Sequence, residues 1–342
     1  MTSLSVRDSI AVVSVALLTV HGAAVAQATR GAFISIVPIA RVCPGQQVEA
    51  TYVEHFSNGS QDKVSSGDVR QLTPKDGDSV TVARDGSWQT NADPMRSVLT
   101  GFPLSASLAR DSSVRGDTVA APSYDCPHDV IKLPMSDRFH FTHAYVRLGT
   151  FRTPFYDSVV VAVIELDGRV LGTRVLSPAE MRSGAIKITA LGKPGVAGHS
   201  GSQGSPGSDC SNGEQGTDGE PGEAGQAGGQ VDIIVQEGSP WLANLVAVSN
   251  TGGRGGKGGE GGAGGPASAP SSRTGSGSGG SSCRPRPGRP GRSGAQGPDG
   301  EPGQPPKVTS APVPLLWTGS PIWSNPVAKR ALDGLMAYEP KK

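Results

Sequence analysis

Two histidines three residues apart, His140 and His143, are the most metal-like pair in the chain. They lie in Arg138–Leu148 (RFHFTHAYVRL), whose alternation reads as a strand with Phe139, Phe141, His143 and Tyr145 on one side. Residues three apart on a strand face opposite sides, so one ion cannot use both rings. Each histidine is read as structural, and no metal site is assigned. Gly253-Arg254-Gly255-Gly256-Lys257-Gly258 fits the dinucleotide fingerprint GxGxxG and follows a strand-like run. That fingerprint needs a following helix to receive the pyrophosphate, and no helical pattern follows. Lys257 lacks the Ser/Thr and the upstream glycine of a phosphate loop, and no GxSxG elbow occurs. Arg115-Gly116-Asp117 matches the integrin tripeptide, and Asn58-Gly59-Ser60 matches the N-glycosylation pattern, which predicts a surface loop. No catalytic residue, metal ligand or cofactor is therefore assigned, and the chain is expected not to be an enzyme.

The residues with real spacing are glycines. Of 49 glycines, 34 fall between Gly192 and Gly303. A first run keeps one glycine in three at Gly192, Gly195, Gly198, Gly201, Gly204 and Gly207. Cys210 takes the next slot, and Gly213, Gly216, Gly219, Gly222, Gly225 and Gly228 continue the phase. A second block, GGRGGKGGEGGAGG, holds two glycines in three: Gly252, Gly253, Gly255, Gly256, Gly258, Gly259, Gly261 and Gly262. A third returns to one in three at Gly288, Gly291, Gly294, Gly297, Gly300 and Gly303. Polyproline-II helices have three residues per turn, so this period makes a bare face against which another backbone can pack. Either three chains wind together as collagen, or several segments of one chain pack as a polyglycine-II bundle. The runs 192–207 and 288–303 have 16 residues each, roughly 47 Å at polyproline-II rise. The GGx run has two bare faces and is expected as the inner rod, with Arg254, Lys257, Glu260 and Ala263 turned to solvent.

Strand-like segments bracket these runs. Ala185–Ala190 precedes the first, Lys307–Val313 follows the last, and Val231–Gln236 and Asn244–Asn250 lie between, joined by Glu237–Pro240 and read as a hairpin or short-loop pair. The order strand, triplets, turn, triplets, strand occurs twice, which suits a bundle rising from one small sheet. The four cysteines allow three pairings. Domain organisation favours Cys43–Cys126 and a tip bridge Cys210–Cys283.

Residues 1–28 read as a signal peptide: Arg7, then the 11-residue apolar run Ile10–Val20, then small residues before Ala26 or Ala28. The run is too short to span a bilayer, for which about 20 residues are needed, and no second candidate follows. Export to the cell surface, periplasm or medium is expected, where disulfides persist. A net charge of +1 gives no reason to expect nucleic acid. Arg284, Arg286, Arg289 and Arg292 gather basic charge between prolines, read chiefly as a solvated extended stretch, with polyanion binding the weaker reading.

Residues 30–183 read as all-β and β-sandwich-like, with Ser158–Leu166 and Arg169–Leu176 flanking the type I′ hairpin dipeptide Asp167-Gly168. The expected division is 1–28 signal peptide, 30–183 sandwich, 184–313 strand-flanked glycine bundle, and 314–342 an anchor with a short helix over Pro326–Tyr338. The triplets GKPGVAGHSGSQGSPG, GTDGEPGEAGQAGG and GAQGPDGEPGQ resemble the Gly-Xaa-Yaa repeats of bacterial collagen-like proteins. The GGRGGKGGEGGAGG block resembles the polyglycine-II bundles of snow-flea antifreeze protein and some phage tail-tip adhesins. These resemblances imply a structural or adhesive protein. The expectation is a secreted, non-enzymatic rod-bearing protein with an unidentified surface ligand, protein or glycan, and a single chain rather than a trimer. The alternatives are a collagen-like trimer and a hydrolase in the β half.

Overall fold

A computed structural model describes residues 31–74, 78–127, 129–208, 210–268 and 284–339. The expected signal peptide and Cys283 lie outside the described residues. What is described is all-β with a short helical C-terminus.

The N-terminal part has strands β1 (Gly31–Pro38), β2 (Gln47–Val48), β3 (Ala50–Phe56), β4 (Gln61–Val64), β5 (Val69–Leu72), β6 (Val80–Val82), β7 (Trp88–Thr90), β8 (Phe102–Leu108) and β9 (Arg115–Ala120). They form three antiparallel sheets, ordered β1-β3-β4, β2-β7-β6 and β5-β8-β9. Alternation decides what is buried. Ile34 and Ile36 of β1, Tyr52 of β3 and Leu104, Ala106 and Leu108 of β8 close on Trp88 in one core. The Cys43–Cys126 disulfide forms as expected, joining the chain ahead of β2 to the chain beyond β9, with Cα atoms 6.1 Å apart.

The second part adds β10 (Ile131–Lys132), β11 (His143–Phe151), β12 (Val159–Leu166), β13 (Arg169–Leu176), β14 (Ile186–Thr189), β15 (Gln230–Gln236), β16 (Val246–Ser249) and β17 (Lys307–Ala311). Two sheets result, β13-β12-β11-β15-β17 and the all-parallel β10-β14-β16. Asp167 and Gly168 take φ of 50° and 71°, the left-handed pair a type I′ hairpin requires. Every residue of β12 (VVVAVIEL) is buried, because the strand is covered on both faces. Val160, Ala162 and Ile164 pack toward Ile186 and Ile188 of the three-stranded sheet. Val159, Val161 and Val163 pack toward Leu316, Trp317, Ile322 and Leu332 of the C-terminal segment. That segment holds α1 (Val313–Leu316) and α2 (Pro326–Ala337), the latter begun by Asn325, whose side chain accepts from the N–H of Val327 and Ala328. Beneath that segment the Arg147–Glu165 ion pair is satisfied from several sides. Arg147 Nε lies 3.0 Å from Glu165 and its Nη1 donates to Leu316 O at 2.8 Å, while Ser320 donates to the same carboxylate.

Four sequence expectations change here. The strands over 230–236 and 246–249 do not pair as a hairpin; they belong to different sheets. Between them Pro240–Leu245 turns as a 3-10 helix, and Leu242 and Leu245 fill the space between the layers. The rods therefore rise from two stacked sheets rather than one. Packing does not divide at 183, since β11 pairs in parallel with β15 across the expected boundary. Finally, the strand expected from Arg138 begins at His143, because the Asp137 carboxylate accepts from the N–H groups of Phe139 and His140 and bends the chain there.

Candidate functional site

Four rods are defined by their hydrogen bonds: rod 1 (192–207), rod 2 (213–228), rod 3 (252–265) and rod 4 (288–303). They continue the two sheets. In the three-stranded sheet Thr189 faces Ser249; beyond it Gly192 N donates to Thr251 O and Gly195 N to Arg254 O at 2.8 Å, then every third residue likewise. In the five-stranded sheet Asp232 faces Lys307; Gly228 N donates to Glu301 O and Gly225 N to Pro298 O, again at every third residue. Rods 1 and 3 thus extend one layer, and rods 2 and 4 the other.

A second set of bonds stitches the layers together. Glu223 N of rod 2 donates to Val196 O of rod 1 at 2.9 Å, and Glu223 O accepts from Gly256 N of rod 3 at 2.9 Å. Gly256 O then accepts from Gly297 N of rod 4 at 2.8 Å. This is the polyglycine-II scheme, threaded through one chain as a strip in the order 1, 2, 3, 4.

The strip explains the glycine pattern. A methyl group on any of the 26 glycines named above would lie 1.8–2.2 Å from a backbone carbonyl oxygen. Rods 1 and 2 need one bare position each, toward the next rod: Gly195 meets Glu223 O and Gly222 meets Gly256 O. Rod 4 needs one toward rod 2, where Gly297 meets Glu223 O. Rod 3 needs both, since Gly255 meets Gly297 O of rod 4 and Gly256 meets Val196 O of rod 1. Its third row, Arg254, Lys257, Glu260 and Ala263, is exposed. Rod 2 also touches three rods and is equally interior, which its single glycine per triplet conceals.

The strip is closed at both edges. Where a fifth rod would approach rod 4, that rod carries Pro290, Ser293, Gln296, Asp299 and Pro302 in the slot that rods 1 to 3 keep bare. On the other side, rod 2 has Glu214, Thr217, Glu220, Glu223 and Gln226 where a rod preceding rod 1 would require glycine.

Side chains missed by the glycine count finish the bundle. Asn212 and Asp218 accept from the N–H of Arg286 and Arg292 at 2.7 and 2.6 Å, Asp299 accepts from Gly255 N–H at 2.8 Å, and Thr217 Oγ1 accepts from Ser202 N–H at 2.6 Å. The spacing of Asn212 and Asp218, six residues or two turns, was the available signal. Gly264 and Gly265 pack like the named glycines, since a methyl on either would lie 1.9 Å from a carbonyl oxygen of a neighbouring rod, whereas one on the looser Gly229 would lie 2.8 Å from Thr142 O. Cys210 sits at the turn from rod 1 to rod 2 with φ 66°, a left-handed conformation that glycine adopts more readily. The expected Cys210–Cys283 bridge involves Cys283 and so lies outside the described residues.

The other candidates are dispersed. His140 pairs with Asp167 and His143 with Asp232, each at 3.1 Å, and among the described residues no three His, Cys, Asp or Glu side chains could hold one metal ion. Arg115-Gly116-Asp117 lies within β9 rather than on a loop. Arg115 Nε donates to Ser112 O, Ser105 donates to Asp117, and a methyl on Gly116 would lie 1.9 Å from Ile34 O. Asn58 is in an exposed turn between β3 and β4, its side chain accepting from Ser60. A polar groove of about 930 Å³ in the N-terminal part is lined by Ser66, Arg70, Gln71, Asp85 and Ser87 among others. Ser87 donates to Asp85 at 2.7 Å, which holds that carboxyl below its usual range, and no histidine lines the groove.

No protein-family model matches the chain, nor does any curated protein or solved structure. Its class rests on the fold alone: two stacked β-sheets that continue outward as a four-rod glycine bundle.

Proposed function

We propose that this protein is an exported, non-enzymatic structural or adhesive protein that presents the four-rod bundle to a surface ligand, protein or glycan. The carrying observation is the continuation of the paired strands into paired rods, in one register from β14 and β16 into rods 1 and 3 and with a one-residue slip from β15 and β17 into rods 2 and 4. Rods that continue hydrogen-bonded strands and are bonded to one another make a stiff projection, the mechanical requirement for holding a contact surface away from a body. Export is supported by the leader-like residues 1–28 and by the Cys43–Cys126 bridge, which persists in oxidising compartments.

The test is binding of the full mature chain to cells, immobilised glycans and matrix, beside a Gly259→Val variant. A side chain at Gly259 would lie 1.9 Å from His199 O and part rods 1 and 3. Saturable binding that this variant loses is the expected result; binding that survives it, or no binding to any of these surfaces, refutes the proposal. The collagen-like alternative is addressed by mass in solution. In every rod one glycine N–H per triplet is already bonded to another rod of the same chain, which supports a single-chain species, and a trimer in light scattering would restore the alternative.

A further inference from the structure

Rod 4 begins Arg284-Pro285-Arg286-Pro287-Gly288-Arg289-Pro290-Gly291-Arg292, and the bundle turns this basic stretch into an ordered array. Arg286, Arg289 and Arg292 occupy the same position in successive triplets, so they form one straight row with steps of about 9 Å. The backbone beneath them is fixed. Their carbonyls accept from Gly213, Gly216 and Gly219 of rod 2 at 3.0, 3.0 and 2.9 Å. The N–H groups of Arg286 and Arg292 are held by Asn212 and Asp218. All three arginines, with Arg284 before them, are exposed, and none has an ion-pair partner among the described residues. Beyond Arg292 the same row continues with Ala295, Pro298 and Glu301, so the arginines are consecutive at its start, whereas the outward row of rod 3 has Arg254 and Lys257 followed by Glu260 and Ala263.

We infer that this row is a binding track for a linear acidic polysaccharide carrying one carboxylate or sulfate for every two sugar rings. Guanidinium groups pair with carboxylate and sulfate by two parallel N–H···O bonds. Two linked pyranose rings span about one step of the row, so each successive acid meets the next arginine without the polymer bending. A nucleic acid fits less well, because along the axis of a duplex one strand presents a phosphate about every 3.4 Å and most would face no cation. Rigidity matters as much as charge: three arginines on a disordered chain would lose side-chain and backbone freedom on binding, whereas here the backbone is already ordered. This inference deepens the adhesive reading by naming a ligand class, yet it is tested on a soluble polymer.

The experiment measures binding of hyaluronan decasaccharide to the full mature chain at low ionic strength. A neutral chitin oligosaccharide of equal length and a single-stranded DNA 10-mer serve as comparisons. Hyaluronan is expected to bind, to weaken steeply with salt, and to lose at least tenfold in affinity with Arg286→Gln/Arg289→Gln/Arg292→Gln. Arg254→Gln/Lys257→Gln, which removes charge from the other layer, should change it less than twofold. The decisive variant is Arg289→Gln/Ser293→Arg, which keeps net charge and moves one arginine out of the row. At least a fivefold loss is expected. Unchanged binding by either row variant overturns the inference, as does DNA binding as tight as hyaluronan, or no hyaluronan binding by a chain whose circular dichroism is native. Were cell or matrix binding to persist while hyaluronan fails, only the polysaccharide track would fall.

Discussion

Gly256→Ala is the sharpest probe of the rod lattice. The added methyl would lie 2.0 Å from Val196 O and 2.6 Å from the carbonyl carbon. Both are backbone atoms that no rotamer change can move, so rod 1 must retreat by about 1 Å or more, the kind of overpacking that costs about 1–3 kcal/mol. The retreat stretches the bonds on either side, Gly195 N to Arg254 O at 2.8 Å and Gly198 N to Lys257 O at 2.9 Å. Each contributes about 1 kcal/mol net. Alanine returns about 0.4–1 kcal/mol by stiffening the unfolded chain. The balance is a loss of about 2–4 kcal/mol, or roughly 4–8 °C in melting temperature if the bundle unfolds with the sheets. The neighbouring Lys257→Ala, on the exposed row, should stay within about 0.5 kcal/mol. Hydrogen exchange places the damage: the Gly195 and Gly198 amides should lose protection in Gly256→Ala and keep it in Lys257→Ala. Equal melting temperatures and equal exchange for the two variants would refute the tight spacing of rods 1 and 3, and with it the reason for the GGx repeat.

Three further outcomes follow from the packing. Glu165→Ala leaves the buried Arg147 guanidinium without its carboxylate and Ser320 without its acceptor, and should cost about 3–5 kcal/mol in denaturant unfolding. Cys43→Ser/Cys126→Ser opens a loop of sequence separation 83 and should cost about 2–5 kcal/mol, read as a lower denaturant midpoint. The Asp137 carboxyl is held below its usual range first by the Phe139 N–H, then by that of His140. A depressed acid stabilises above its unfolded value, so the bend at 137–140 should be fully formed above the ordinary carboxylate range and loosen as pH falls through the depressed value. Amide shifts of Phe139 and His140 should titrate together there, and Asp137→Asn should abolish that titration.

Much of this architecture is legible in residue order, and the gaps have identifiable causes. Asp167-Gly168 declares its hairpin because few residues tolerate two consecutive positive φ angles. The helix over 326–337 shows in its periodicity. The short apolar runs over 231–236 and 246–249 look like a hairpin because periodicity reports burial, not the identity of the partner. Pro240-Trp241-Leu242 sends the chain across the layers instead, a route set by the cavity that Leu242 and Leu245 fill. The Arg138–Leu148 alternation overshoots because Asp137 captures two N–H groups, a side-chain competition that hydrophobic pattern does not register. The arginine row was visible as composition alone; its straightness and freedom from ion pairs depend on rod 2 holding the backbone beneath it.

By itself the sequence determined the three-residue period, and with it the existence of rods, because nothing but glycine fits where a backbone carbonyl would lie 1.8–2.2 Å from a side chain. It also determined that the second block, rod 3, differs, since only a segment bare on two sides can carry glycine twice in each triplet without waste. What it left open was which rod meets which. That was decided in three dimensions by the sheets: the parallel pairing of β14 with β16 runs in register into rods 1 and 3, and that of β15 with β17 leads, after a one-residue slip, into rods 2 and 4. Hydrogen-bonded strands transmit their spacing along the chain beyond the sheet, whereas a glycine repeat looks the same under any shift of three. The repeat therefore specifies that the rods pack, and the strands at their base specify how.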